Sequence, residues 1–347
     1  LGVGASRVDP IGKVVELEDG RRLAYNSLLL AMGSSPQVPD IPGATLSGVY
    51  SLRTLEDAKK IKEKTPTSKR AVVLGGGLVS IKTVEGLLAR GIDVVLVVTS
   101  GRLLSQITAP EDQEVVFNMF QVPGLDIRLR CDAAAIEGDG EVERVRLSTG
   151  EVIDCDMVVI GKGVSPNLSS IKGTEIEAGF GILVNDRMET NVPNVYAAGD
   201  IAEGHDRARG KHWVNALWSS AVWQGRVAGY NMAGRRVSYP GDVGLNSVSF
   251  GDKSLITLGK IRPEEGDEAV LFLDRRRKEY RRLVFSDGRL VGAVISGPST
   301  QAAGVLRSLI ARGEDTAGIR NVLLGARLSY GDVVHTGTRL SYCGPLG

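Results

Sequence analysis

The sequence predicts an α/β chain of parallel, helix-covered sheets that ends in a distinct α+β segment. Three observations predict it. Apolar strands run straight into glycine at Gly33, Gly75 and Gly199. A strand, a helix and a second strand follow one another between residues 70 and 98. After Pro240 the pattern changes to five closely spaced strands and a helix. Parallel strands covered on both faces read as continuous Val/Ile/Leu runs, and the helix between them completes a βαβ unit of about 30 residues. Neighbouring strands without intervening helices denote antiparallel pairing.

The elements follow in order. Residues 14–17 and 22–25 flank Asp19-Gly20, a hairpin signal. Residues 27–33 are an apolar strand ending in glycine, and Pro36, Pro39, Pro42 and Gly43 make an extended linker. Residues 55–64 read as a helix opened by Thr54 as N-cap. A buried strand at 70–74 meets Gly75-Gly76-Gly77, and a helix over 79–90 stops at Gly91. Residues 93–98 are the second buried strand. Residues 127–129, 142–147 and 157–161 are further strands, with turns at Asp139-Gly140 and Thr149-Gly150. Residues 194–199 form a strand followed by Asp200, and a helix is expected over 213–232. The last segment reads as strands at 245–250, 255–258, 269–273, 280–285 and 290–295 and a helix at 300–312.

Composition narrows the function classes. Of 347 residues, 44 are glycine, against about 24 at the usual frequency. They follow no Gly-X-Y period, so they mark turns and close backbone contacts. The chain is 42% hydrophobic and 24% charged, which suits a globular core. A net charge of +1 gives no overall field for nucleic acid or anionic membrane. No apolar run is long enough to span a bilayer and no signal peptide is recognisable, so a cytoplasmic location is expected. Cys131, Cys155 and Cys343 lie far apart without metal-ligand spacing, and no metal is expected. His335 and Cys343 read as structural.

The glycine-ended strands carry the chemistry. Gly75 and Gly77 fill the first two positions of a GxGxxG turn, where a tight bend and a close backbone approach seat a pyrophosphate on a helix N-terminus. Ser80 stands at the third position. The acid that should follow the second strand, to hold a ribose hydroxyl, is missing from Val97-Val98-Thr99-Ser100. Ser100 and Arg102 could hold a 2′-phosphate there instead. Asp200, a carboxylate after a strand and beside glycine, is placed to accept hydrogen bonds from a ligand polyol, although Gly-Asp is also an ordinary turn pair.

In combination the motifs resemble the pyridine-nucleotide:disulfide oxidoreductase superfamily of two-dinucleotide-binding-domain flavoproteins. Leu28-Leu-Leu-Ala-Met-Gly-Ser-Ser-Pro36, Gly75-Gly-Gly-Leu-Val-Ser-Ile-Lys82, Gly163-Val-Ser-Pro-Asn167 and Thr190-Asn-Val-Pro-Asn-Val-Tyr-Ala-Ala-Gly-Asp200 stand in family order. Trp213-Val-Asn-Ala216, residues 224–232, residues 280–285 and residues 290–294 are similar to NADH-dependent rubredoxin reductases and to the flavin part of assimilatory nitrite reductases.

The resemblance implies two Rossmann-like domains, the first incomplete, and a C-terminal α+β interface domain. Residues 1–52 would be the remainder of the FAD domain, 53–162 the NAD(P)H domain, 163–236 the second part of the FAD domain and 237–347 the C-terminal domain. It implies FAD and NAD(P)H as cofactors and electron transfer to a protein or metal-centre acceptor. FAD would contact Ala31, Met32, Gly33, Gly199, Asp200, His212 and Trp213, with the helix near Trp213 aimed at the flavin. NAD(P) would contact Gly75, Gly76, Gly77, Leu78, Val79 and Lys82. The resemblance also implies a homodimer, formed through the α+β tail, or a subunit of a redox complex.

The sequence departs from the family pattern in several places. The N-terminal strand–GxGxxG motif is absent, so a further portion is expected before Leu1. No cysteine matches a redox position, and no catalytic residue is assigned. Lys82 replaces a glutamate, Ser80 a glycine and Met32 a threonine. The departures at Ser80, Lys82 and Val98 motivate an alternative reading, a flavoprotein-like subunit with a degenerate nicotinamide site. Arg275-Arg276-Arg277-Lys278 with Arg281 and Arg282 reads as a solvated hairpin or, alternatively, as a docking patch for an acidic electron carrier.

Overall fold

A computed structural model describes residues 2–325 together with 328 and 331; His335 and Cys343 lie outside the described residues. The chain divides into two compact units. One comprises Leu1–Gln37 with Val164–Asp242, the other Val38–Gly163 with Val243–Gly347.

The first unit is a set of small sheets around one core. Ala5–Asp9, Val14–Leu17 and Arg22–Ala24 form an antiparallel meander, its last turn at Gly20 with φ +85°. Leu28–Leu30 pairs in parallel with Val195–Ala197, in the register Leu28 to Val195 and Leu30 to Ala197. Ser34–Pro36 pairs antiparallel with Val164–Pro166, so part of the stretch expected as linker is a strand. Proline is tolerated there because each ends a two-stranded edge ladder. Ile182–Leu183, Ala202–Asp206 and Lys211–Trp213 make a third sheet. The long helix of this unit is Trp218–Met232. Leu30, Ile182, Val195, Ile201 and Val227 meet in its core.

The second unit holds a five-stranded, wholly parallel sheet in the order Val49–Ser51, Met157–Ile160, Arg70–Leu74, Asp93–Val98, Leu125–Leu129. The chain moves one way from the central Arg70–Leu74 strand and then returns to its other side. That reversal is the topological switch point at which open parallel sheets bind ligands. Alternation divides the sheet between two cores. Ala71 and Val73 face the helix Leu78–Leu88, while Val72 and Leu74 face the meander Ala133–Glu137, Arg144–Leu147, Val152–Asp154. The helix Leu55–Lys64 opens on Thr54, which forms a reciprocal capping box with Asp57.

The C-terminal segment is a five-stranded antiparallel sheet in the order Leu245–Phe250, Lys253–Gly259, Arg289–Ser296, Glu279–Ser286, Glu268–Asp274, covered by the helix Ala303–Arg312. All five strands fall where the sequence places them. Val248, Phe250, Leu255 and Val294 share a core with Ile81, Leu87 and Phe120 of the parallel-sheet region. Phe120 and Phe250 meet edge to face at 4.9 Å. No helix among the described residues is long and apolar enough to cross a membrane.

Candidate dinucleotide sites

In the first unit two parallel strands end side by side in Ala31-Met32-Gly33 and Ala198-Gly199-Asp200. Gly33 takes φ +66° and Gly199 φ +81°, a region that costs an L side chain strain. The space at Gly199 is otherwise ordinary, since a Cβ there would lie 3.5 Å from Ala221. Its backbone conformation therefore demands glycine. The Gly199 amide donates to Gln224 Oε1 at 2.8 Å, which ties the turn to the Trp218–Met232 helix. Ser34 Oγ donates to Asp200 Oδ2 at 2.9 Å. Asn167 donates through its backbone N–H to Gly33 O at 3.0 Å and through Nδ2 to Met32 O at 2.9 Å. Asp200 is half-buried. Two backbones stripped of Cβ and a fixed carboxylate between them suit the hydroxyls of a diphosphate polyol such as FAD. Ser34, Asn167 and Gln224 were not singled out from the sequence, although each lies within or beside a quoted motif.

His212 and Trp213 are not on a helix. They form a strand with Lys211, with His212 opposite His205 and Trp213 opposite Gly204. The helix begins five residues later than expected, at Trp218. Buried Asp206 holds Asn215 Nδ2 at 2.9 Å, and Leu217 is extended (φ −128°, ψ 141°), so 213–217 cannot be helical. His212 Nε2 lies 3.2 Å from Val184 O. Trp213 is 46% exposed with the Arg209 guanidinium 4.9 Å from its ring centroid.

In the second unit Gly75-Gly76-Gly77 sits at the switch point. Gly75 has φ +110°, and a Cβ there would lie 2.3 Å from Gly161 O. A Cβ on Gly76 would lie 2.8 Å from Val98 Cγ1. Gly77 caps the Leu78–Leu88 helix without a side chain, so the first-turn N–H groups around Leu78 and Val79 lack a protein cap. Such a terminus accepts an anion.

Ser80 changes meaning. It is fully buried and donates to Gly161 O at 3.1 Å; a Cβ on Gly161 would lie 2.2 Å from Ser80 Oγ. Gly161 supplies the close helix–strand approach that a third glycine would otherwise allow. Lys82 also differs from expectation. Its ammonium bonds to Glu85 and donates to Ser249 O at 3.0 Å, while Glu85 accepts from the Gly251 amide at 3.0 Å. Lysine and glutamate together pin the Leu245–Phe250 hairpin to this helix. The Lys82 hydrogen bond, with the Gly251 amide, holds the Glu85 carboxyl below its usual range.

A carboxylate from another part of the chain, Asp132, stands beside the end of the Asp93–Val98 strand. Asp132 accepts from Thr99 Oγ1 at 2.9 Å and from Lys162 Nζ at 2.6 and 2.5 Å. Burial works to raise the Asp132 carboxyl, but Lys162 and Thr99 outweigh it and hold it below the ordinary value. Ser100 Oγ donates to Arg102 O at 2.8 Å, and Arg130 Nε lies 2.9 Å from where a Gly101 Cβ would be.

Two of the six cations in the basic run of the C-terminal sheet are not at the surface. Arg281 and Arg282 are 1% and 2% exposed. Arg282 meets Asp112 through two bonds of 2.7 Å, and Arg281 donates to Leu323 O and Gly325 O. Arg275 pairs with Glu114 and Arg277 with Glu279. Arg281 and Arg282 are adjacent on a strand buried on both faces, whereas Arg275, Arg276, Arg277 and Lys278 are exposed in the turn before it, in line with the solvated-hairpin reading of that part of the run.

Residues 1–225 match the family described as pyridine nucleotide-disulphide oxidoreductase, and residues 246–314 the rubredoxin NAD+ reductase C-terminal domain. The chain is similar to the NADH-dependent phenylglyoxylate dehydrogenase subunit epsilon of Aromatoleum evansii, 34% identical over 91% of this chain and 75% of that one. It is 27% identical to the assimilatory nitrate reductase electron transfer subunit of Bacillus subtilis over 88% of this chain, but spans 39% of that protein's length. Among solved structures, a ferredoxin reductase for the CYP199A2 system of Rhodopseudomonas palustris aligns with TM-score 0.77 and 25% identity, covering 85% of this chain and 73% of that one. Family members are FAD-dependent NAD(P)H oxidoreductases. On these matches and on motifs that stand in order on two glycine-ended sheets, the chain belongs to the pyridine nucleotide-disulphide oxidoreductase family.

Proposed function

We propose that the protein passes electrons from NAD(P)H through FAD to a protein or metal-centre acceptor. The observation that carries this is the pair of parallel strands ending in Gly33 and Gly199, with Asp200 fixed by Ser34 between them. Ala31, Met32, Gly33, Gly199 and Asp200 would hold FAD, with Asp200 accepting from its hydroxyls and His212 and Trp213 at the rim. FAD when bound supplies the exchange between two-electron and one-electron chemistry. Gly75, Gly76, Gly77, Leu78 and Val79 would seat the NAD(P)H pyrophosphate on uncapped amides. Lys82 would act from one turn further along, keeping the helix fixed against the C-terminal sheet.

Residues 1–52 and 163–236 are assigned to the flavin, 53–162 to the nicotinamide nucleotide and 237–347 to an interface. A cytoplasmic homodimer or complex subunit fits this assignment. The burial of Ser80 and the neutralisation of Lys82 by Glu85 remove two motives for a degenerate nicotinamide site. The test is anaerobic addition of NADH and NADPH to the flavin-loaded protein. Bleaching of the oxidised flavin spectrum is expected, and Asp200→Ala lowers flavin content. A spectrum unchanged by both nucleotides refutes the reading.

A further inference from the structure

The loop after the Asp93–Val98 strand stands at the carboxyl edge of the parallel sheet, beside the glycine turn. The Gly75 amide donates to Val97 O at 2.8 Å, and the Leu104 amide donates to Gly76 O at 2.7 Å. Residues 99–103 therefore leave the turn and come back to it. In sheets of this kind a dinucleotide whose pyrophosphate lies on the glycine turn reaches the end of the second strand with its ribose. An acid there accepts from the 2′-hydroxyl, or an arginine takes a 2′-phosphate. Here the place of the acid is filled by an apolar side chain. Val98 is 2% exposed and packs on Gly76, where a Cβ would lie 2.8 Å from Val98 Cγ1. The sequence holds no carboxylate between Asp93 and Glu111. Asp132 stands beside the loop, but Lys162 Nζ meets both of its oxygens at 2.6 and 2.5 Å, so its charge is already matched.

The loop is basic instead. Arg102 is half-buried and Arg130 exposed, and neither pairs with a carboxylate among the described residues. Arg130 follows the neighbouring Leu125–Leu129 strand and is folded back over the loop. Its φ is +59°, its amide donates to Ser100 O at 3.3 Å, and its Nε lies 2.9 Å from where a Cβ on Gly101 would be. Gly101 thus leaves the room that the guanidinium crosses. A left-handed residue that is not glycine costs strain, and such strain gathers at ligand sites. Ser100 Oγ donates to Arg102 O at 2.8 Å and fixes the loop between the two arginines.

We propose that Ser100, Arg102 and Arg130 form a subsite for the 2′-phosphate of the adenosine ribose, so that this chain selects NADPH over NADH. The inference rests on the nucleotide reading of the glycine turn argued above. A phosphate monoester carries close to two negative charges at neutral pH, and the planar fork of a guanidinium matches its oxygens. Bound NADPH gives the two arginines the anion that the protein does not supply. Bound NADH leaves both unmatched, and its 2′-hydroxyl meets no carboxylate in the loop.

The test titrates the flavin-loaded protein in a calorimeter with NADP+, NAD+, 2′,5′-ADP, 5′-AMP and inorganic phosphate, none of which reduces the flavin. NADP+ should bind at least about 10-fold tighter than NAD+, and 2′,5′-ADP tighter than 5′-AMP by a similar factor. Added salt should narrow both gaps. Arg102→Ala and Arg130→Ala should each weaken NADP+ about 10-fold and leave NAD+ unchanged. NAD+ binding as tightly as NADP+ overturns the proposal. So does a preference for NADP+ that neither variant alters, or inorganic phosphate binding as tightly as 2′,5′-ADP, which would mark an anion site unconnected with the nucleotide. Flavin bleaching by NADPH or NADH, followed separately, reports the proposed activity. Its absence with both counts against that activity, while the titrations still judge the subsite.

Discussion

Gly75 and Ser80 show how much chemistry one Cβ controls. At Gly75 both the φ of +110° and the carbonyl of Gly161 exclude a side chain. Gly75→Ala is therefore expected to cost about 1–3 kcal/mol and to abolish nucleotide binding, read by urea unfolding and by calorimetry with NADH and NADPH. Ser80→Ala keeps the shape but leaves the Gly161 carbonyl without its donor. About 1 kcal/mol should be lost with nucleotide binding unchanged, and loss of that binding would contradict the packing role assigned here. Cys155 is buried, and burial first, then the charge of Asp156, pushes its thiol up to about 12. The thiolate is thus suppressed at pH 8. Peptide-level mass spectrometry should find Cys155 unalkylated by iodoacetamide until the chain is denatured.

The elements most legible in the sequence were those with a strict period. The Val/Leu runs at Arg70–Leu74 and Asp93–Val98, and the five strands after Pro240, lie where alternation and apolar run length put them. Ala202–Asp206 and Lys211–Trp213 are not legible as strands because AEGHD and KHW each hold a single apolar side chain and so no apolar period. Their pairing with each other and with Ile182–Leu183 makes them strands, and that pairing delays the following helix to Trp218. The Asp132 cluster at the sheet edge was equally hidden, since Lys162 is 30 residues away from it. Asp132 has a lowered folded-state pKa, so its contribution is present above the unfolded carboxylate value and is lost as pH falls through the folded one. Asp132→Asn should therefore be less stable than wild type at pH 7, and the gap should close in acid below the ordinary carboxylate range. Urea titrations at several pH values check this, and a constant gap would remove the ion pair as its cause.

At the scale of the whole molecule, the C-terminal sheet is joined to the parallel-sheet region by one core and by buried charge. Asp112 and Arg282 are 0% and 2% exposed and 170 residues apart. Tyr280 adds a bond of 2.6 Å to the same carboxylate. Removing one member strands the other without water, so Arg282→Met should cost about 3–5 kcal/mol, measured by urea denaturation. A loss under about 1 kcal/mol would show that the pair is solvated in solution.

Local properties were decided by the sequence alone. The turns at Gly33, Gly75 and Gly199, the capping box of Thr54 and the periods of the long strands depend on residues close in the chain, and so they could be read from it. Tertiary structure decided which side chains face each other. Ser80 meets Gly161, Lys82 meets Ser249 and Arg282 meets Asp112 across separations of 81, 167 and 170 residues. No local period encodes such meetings. They turn an apparent defect in a glycine motif into packing, a reversed charge into a neutral clamp, and two arginines of a basic run into a buried network.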